Sequence, residues 1–119
     1  MGDVGRFFNR AEFACKCGCG FDDINPDLVN LLDRIRAHFD RPMTITSGCR
    51  CQIHNRHVGG AEHSQHILGR AADVVVAGII PPLVAEAAAQ YGANGIKVYS
   101  GWTHIDVRTG RKWHDVIPD

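Results

Sequence analysis

One apolar stripe at helical spacing governs what this chain can become. Leu28, Leu31, Leu32, Ile35 and Phe39 recur every three or four residues, the pattern of a helix with one buried face. Asn25 suits its N-cap, Pro26 its first position, and Pro42 stands just beyond, where a helix cannot continue. Everything after it is short and cut apart by glycine and proline. Met43 to Thr46 reads as a strand ended by Ser47-Gly48, and Ala71 to Val76 as a buried strand between Gly69 and Gly78. Pro81-Pro82 open a second, alanine-rich helix that runs to about Gln90 and stops near Gly92. Gly95 to Tyr99 and Thr103 to Arg108 read as two closing strands around a tight Ser100-Gly101 turn. Residues 49–68, polar and rich in His, Asn and Gly, form a loop long enough to carry function. This order predicts an α+β fold: a small, mainly antiparallel sheet packed with two or three helices.

The 119 residues make room for one core, and no repeat or low-complexity linker divides them. A single domain over residues 1–119 is expected, with a cysteine-rich segment at 1–24 and a tail at 109–119 that has no predicted element. Lys plus Arg number 13 and Asp plus Glu number 13, so the formal charge is zero. That balance argues against nucleic-acid partners, which need a net basic face, and against polybasic membrane attachment. No apolar run approaches the ~18 residues of a membrane span. Ahead of Phe7 there is no charged stretch followed by an apolar one, so no secretory leader is read. Arg6 stands where a myristoylation motif has Ser or Thr. Synthesis in a cytoplasm is the expectation. What stands out is seven histidines and five cysteines in so short a chain.

Ligand-type side chains fall in three segments: Ser64-Gln65-His66, Ala72-Asp73 and His104-Ile105-Asp106. A catalytic zinc site takes three imidazole or carboxylate ligands and keeps one position open. Gly69 lets the chain turn sharply between His66 and Asp73, so those two can converge. His104 and Asp106 are two apart on a predicted strand and share a face, while Ile105 points into the core.

Ser64-Gln65-His66-Ile67-Leu68-Gly69-Arg70-Ala71-Ala72-Asp73 resembles the Ser-x-His-x-x-Gly-x-Ala-x-Asp signature of zinc D-Ala-D-Ala carboxypeptidases and related peptidoglycan peptidases. Their superfamily also holds the amino-terminal signalling domain of hedgehog proteins. Ser47-Gly48-Cys49-Arg50 resembles the family's Ser-Gly-Tyr-Arg element, with Cys49 where Tyr is usual. Asn55, Gly59 and Gly60 fit the Asn…Gly-Gly stretch of the compact, often phage-associated branch, and Trp102 to Arg108 resembles its closing segment. The likeness runs from about residue 7 to residue 108.

The resemblance implies a hedgehog/DD-peptidase-like fold and one catalytic zinc ion held by His66, Asp73 and His104. It implies that Arg50 holds the substrate carbonyl or carboxylate and stabilises the tetrahedral oxyanion, a role a fixed guanidinium suits. Ser64 would support the zinc ligands by hydrogen bonding. The implied partner is a peptidoglycan stem peptide, cut at a terminal D-Ala or at an internal bond, by a monomer acting in the periplasm or cell wall. An endolysin of a phage fits this description. The alternative is a module of the same fold that binds zinc and a cell-wall peptide or protein partner without catalysis.

The general base departs from the pattern. Several relatives place Glu or Asp three residues before the last ligand, where this chain has Gly101. Others end in His-x-His, an alignment that would put Asp106 on zinc and make His104 the acid–base residue. With His104 on zinc, Asp106 is the nearest candidate base, or else a carboxylate that orients His104. Glu62, His63, His54, His57 and His114 read as solvated residues, any one of which could touch substrate, and His38 as a complement to its helix dipole. Cys15, Cys17 and Cys19 alternate, as do Cys49 and Cys51. Side chains two apart in extended chain face one way, so the two sets can meet. Disulfides, a second structural metal, or thiols without a shared role all remain open for them.

Overall fold

The computed structural model describes residues 2–115. Helix α1 (Pro26–Phe39) forms where the apolar stripe predicts it, and the Asn25 side chain accepts from the Asp27 N–H at 2.8 Å. Leu28, Leu31, Leu32 and Ile35 are buried. Each such aliphatic side chain contributes about 1.5–3 kcal/mol by leaving water. The helix ends at Asp40, whose φ of 53° is the sole positive value among the described non-glycine residues.

Strands β1 (Met43–Ser47), β2 (Ala71–Val76), β3 (Gly95–Val98), β4 (Thr103–Asp106) and β5 (Trp113–Asp115) form one sheet in the order β1-β2-β4-β3-β5. All neighbours are antiparallel except β3 and β5. With the helices, this is the expected α+β architecture, compatible with the hedgehog/DD-peptidase-like class. Because side chains alternate along a strand, Ala72, Val74, Val76, Ile96, Val98 and Ile105 enter the core together with α1 and the alanines of helix α3 (Pro81–Gln90). The opposite face presents Asp73, His104 and Asp106. Between Ile45 and Ser47 the β1–β2 register shifts by one residue, leaving Ser47 opposite Asp73.

Three segments hold structure that periodicity does not reveal. The expected loop 49–68 contains helix α2 (Gln52–His57) and a 3₁₀ turn (Gln65–Leu68). Neither carries an apolar stripe, and Ile53 is 64% exposed, so side-chain caps rather than burial define them. Cys51 Sγ accepts from the His54 N–H, and Ser64 Oγ from the His66 N–H. In the cysteine-rich segment, a 3₁₀ turn (Arg10–Phe13) accompanies Phe8 and Phe13, both fully buried. In the tail, β5 is short and largely exposed. It is recruited by main-chain pairing, with the Trp113 N–H donating to the Asn94 carbonyl at 2.7 Å, and by a Lys97–Asp115 ion pair. The rest of the tail, 116–119, lies outside the described residues. No helix among the described residues is long and apolar enough to cross a membrane.

Candidate metal centre

Strand pairing builds the centre. Asp73 on β2 and His104 on β4 are direct cross-strand partners, and the 3₁₀ turn preceding β2 brings His66 over them. Gly69 ends that turn at φ 69°, a left-handed residue where the chain must reverse within a few positions. His66 Nε2 and His104 Nδ1 each lie 3.3 Å from the same oxygen, Asp73 Oδ1. The other nitrogen of each ring is occupied. His66 Nδ1 donates to the Gly48 carbonyl at 2.7 Å, and His104 Nε2 donates to Asp106 Oδ2 at 2.7 Å. These bonds orient both rings so that His66 Nε2 and His104 Nδ1 face Asp73.

Two imidazole nitrogens and one carboxylate oxygen that converge in this way could hold a metal ion. A tetrahedral site with bonds of about 2.0–2.1 Å has donor–donor edges of about 3.3–3.4 Å, which the two observed 3.3 Å separations match. The residues therefore fit a zinc-type centre. The geometry groups His104, not Asp106, with His66 and Asp73.

Electrostatics follow the same contacts. Burial alone would raise Asp73, but hydrogen bonds from His104 and His66 hold it well below the usual carboxylate range. Asp106 is completely buried, which again opposes its charge. His104 and Arg108, through Nε, Nη2 and the backbone N–H, more than offset that and lower it. Burial disfavours a charged His104, yet Asp106 and Asp73 on either side outweigh it and raise its pKa.

Arg50 is fixed beside the centre. Its Nε donates to Ser47 Oγ at 3.0 Å, its Nη1 to Asn55 Oδ1 at 3.2 Å and its Nη2 to Asp73 Oδ2 at 3.1 Å. The β1 register shift supplies the first contact by aiming Ser47 at this point. A guanidinium has five N–H donors, so two remain.

These residues share a cleft of about 300 Å³ lined by Arg50, His66, Asp73 and His104. His63, Ser64, Gln65, Tyr99, Arg108 and Trp113 also line it. Asp106 lies behind His104 and does not line the cleft. Gly101 lies in the β3–β4 turn, on a separate apolar groove. Glu62, His54, His57 and His114 are not on the cleft wall either. His114 donates to the Ala93 carbonyl, and His38 is hydrogen-bonded to the Tyr91 hydroxyl between α1 and α3. Sequence reasoning missed Tyr99, Arg108 and Trp113 as cleft residues. Trp113 comes from the unforeseen β5, and Arg108 packs its guanidinium 4.6 Å from the Trp113 ring centre.

The cysteines divide. No disulfide links the five. Cys15, Cys17, Cys19 and Cys51 gather in one group, whereas Cys49 is buried in the core. The expectation that Cys49 and Cys51 face one way fails because the chain leaves β1 after Ser47 and turns into α2 at Cys51, so the segment is not extended strand. Burial pushes the Cys15 thiol up, but backbone N–H groups of Cys51 and Cys17 outweigh this and bring it down to about 7. Burial, with Asp22 and Asp23, pushes Cys49 up to about 11.

Residues 6–106 match the family described as peptidase M15. The chain is also similar to the zinc D-Ala-D-Ala carboxypeptidase of Streptomyces albus G, being 33% identical over 79 residues. That alignment covers 62% of this chain and 31% of the relative, so the chain spans about a third of the length of the curated protein it matches.

Proposed function

The chain belongs to the peptidase M15 family, and on that premise we propose that it is a zinc metallopeptidase hydrolysing peptide bonds in the stem peptides of bacterial peptidoglycan. The observation that carries this reading is the convergence of His66 Nε2, Asp73 Oδ1 and His104 Nδ1 in a cleft that Arg50 also lines. Three nitrogen and oxygen donors beside a cleft suit a catalytic ion, whereas a purely structural zinc is closed by four. When bound, zinc would supply Lewis acidity, lowering the pKa of water and polarising a carbonyl oxygen.

The remaining work falls to the chain's own residues. Arg50, held by Ser47, Asn55 and Asp73, offers its two spare N–H groups to a substrate carbonyl or carboxylate, and stabilises the oxyanion as charge develops. Of the two roles that the sequence leaves to Asp106, we take the orienting one: it is buried, committed to His104 and Arg108, and off the cleft. The proton carrier is then His63. Among the described residues lining the cleft, it is the one imidazole outside the metal-donor set, and an imidazole ring has nitrogens that can both accept and donate a proton.

The name of the Streptomyces relative makes a D-Ala-D-Ala terminus the first substrate to try, ahead of internal stem-peptide bonds. A monomer working in the periplasm or cell wall, as an endolysin does, fits this reading. Zinc-loaded protein incubated with purified peptidoglycan and with stem peptides should release D-Ala or a peptide fragment, and His66→Ala should abolish the release. No release from several wall chemistries would overturn the reading. Binding without turnover would favour the non-catalytic module, whose support is that Asp73 is the sole carboxylate lining the cleft among the described residues.

A further inference from the structure

The peptidase chemistry leaves four cysteines unused, and they are not scattered. We propose that Cys15, Cys17, Cys19 and Cys51 bind a second zinc ion, a structural one, which fastens the N-terminal segment to the loop bearing Arg50. The sulfur atoms of all four lie within 4.8 Å of one another. Cys15 and Cys17 are 3.4 Å apart, and Cys17 and Cys51 are 3.7 Å apart. A disulfide needs about 2.05 Å. Four thiolates at about 2.3 Å from one tetrahedral ion lie about 3.8 Å from each other. The observed spacing is that of a coordination shell.

The surroundings agree. The Cys51 N–H donates to Cys15 Sγ at 3.4 Å, and the His54 N–H to Cys51 Sγ at 3.4 Å. Such N–H groups stabilise charged sulfur and orient it. Residues 16–20 are all exposed, so no buried apolar side chain dictates the path of this loop. Gly18 and Gly20 nevertheless take φ values of 83° and 93°, folding the chain tightly around Cys17 and Cys19. Main-chain hydrogen bonds from the Cys15 N–H to the Phe21 carbonyl at 2.8 Å and from the Gly18 N–H to the Cys15 carbonyl at 3.1 Å close the loop, and a bound ion would add the tie to the rest of the fold that exposed side chains do not supply.

Three donors come from this loop and the fourth from Cys51, more than thirty positions further along the chain. Cys51 directly follows Arg50, whose own N–H donates to the His66 carbonyl at 3.1 Å. The ion would therefore fix the backbone on one side of Arg50 while the His66 turn fixes it on the other. Binding displaces the protons of the four thiols, leaving a closed site with no place for substrate. Its role is stability and positioning, not chemistry.

The test is metal stoichiometry on the whole chain, purified under reducing conditions and loaded with zinc. Two zinc ions per chain are expected. Cys17→Ser/Cys19→Ser should bind one, Cys49→Ala should keep two, and His66→Ala/His104→Ala should keep the thiolate ion alone. Cobalt substitution gives an independent signature. The sulfur-to-cobalt charge-transfer band should survive in His66→Ala/His104→Ala and vanish in Cys17→Ser/Cys19→Ser. Should the serine variant fail to fold, unmodified protein still decides: its four thiols should resist a thiol reagent until a chelator is added. Free reaction of those thiols in folded, zinc-loaded protein would overturn the proposal, as would disulfides among them in the intact mass. Unmodified protein that binds the thiolate ion but none at His66, Asp73 and His104 would count against the peptidase reading alone.

Discussion

Asp106 stands directly behind His104: its Oδ2 accepts from Nε2 at 2.7 Å, while Nδ1 of the same ring lies 3.3 Å from Asp73 Oδ1. The imidazole is held between two carboxylates, one that fixes its orientation and one that shares its metal-facing side. Arg108 secures the outer carboxylate through Nε, Nη2 and its backbone N–H. Asp106→Asn keeps the shape but weakens the acceptor that orients the ring. Zinc affinity, measured by chelator competition, should fall about 10- to 100-fold. Unchanged affinity with lost turnover would instead make Asp106 the proton carrier.

Gly95 gives that carboxylate its room. It pairs with Asp106 across β3 and β4, and a Cβ placed on it would run into the Asp106 carboxyl group. Gly95→Ala should therefore cost about 1–3 kcal/mol of stability, as overpacking does, and it should also weaken zinc binding by displacing Asp106. A lowered denaturation midpoint together with a weaker chelator-competition constant is the expected pair of results. A drop in stability alone would show that the sheet yields without moving the His104–Asp106 contact.

The legibility of this molecule follows burial. Helix α1, α3 and strands β1 to β4 announce themselves because their apolar residues sit at periods that one buried face demands. The metal donors are readable for a related reason: His66, Gly69 and Asp73 must keep a spacing that a turn into β2 imposes, and His104 sits opposite Asp73 by register. What escapes is held by polar contacts. Helix α2 rests on a cysteine cap, and β5 on main-chain pairing and an ion pair, so neither leaves an apolar pattern. Cys49 and Cys51 look equivalent in the sequence, and only the turn into α2 separates a core residue from a member of the thiol group. The service of Gly95 to Asp106 depends on two strands meeting, which no local pattern encodes.

Arg50 tests whether a positive charge suffices. Lysine offers a point charge in place of a planar fork, so Arg50→Lys cannot reach Ser47, Asn55 and Asp73 together. Zinc content should persist, since Arg50 donates no ligand. Turnover of a D-Ala-D-Ala peptide should fall on the order of 10²- to 10³-fold, the usual loss when an oxyanion donor is removed. Near-normal kcat/KM in the lysine variant would show that charge without geometry is enough.

His63 carries the sharpest prediction, because the cleft leaves little choice. Gly101 has no side chain and sits on another groove, Asp106 is enclosed behind His104, and Asp73 belongs to the metal donors. His63 is exposed on the loop before Ser64 and lines the cleft. His63→Gln should therefore leave the denaturation midpoint and zinc content unchanged. Turnover should fall about 10²- to 10⁴-fold, the range general acid–base catalysis supplies. The loss should appear mainly in kcat, because proton transfer acts on the transition state more than on bound substrate. If His63→Gln raises KM and leaves kcat intact, His63 contacts substrate and the proton travels by another route. Full activity would remove His63 from the mechanism altogether.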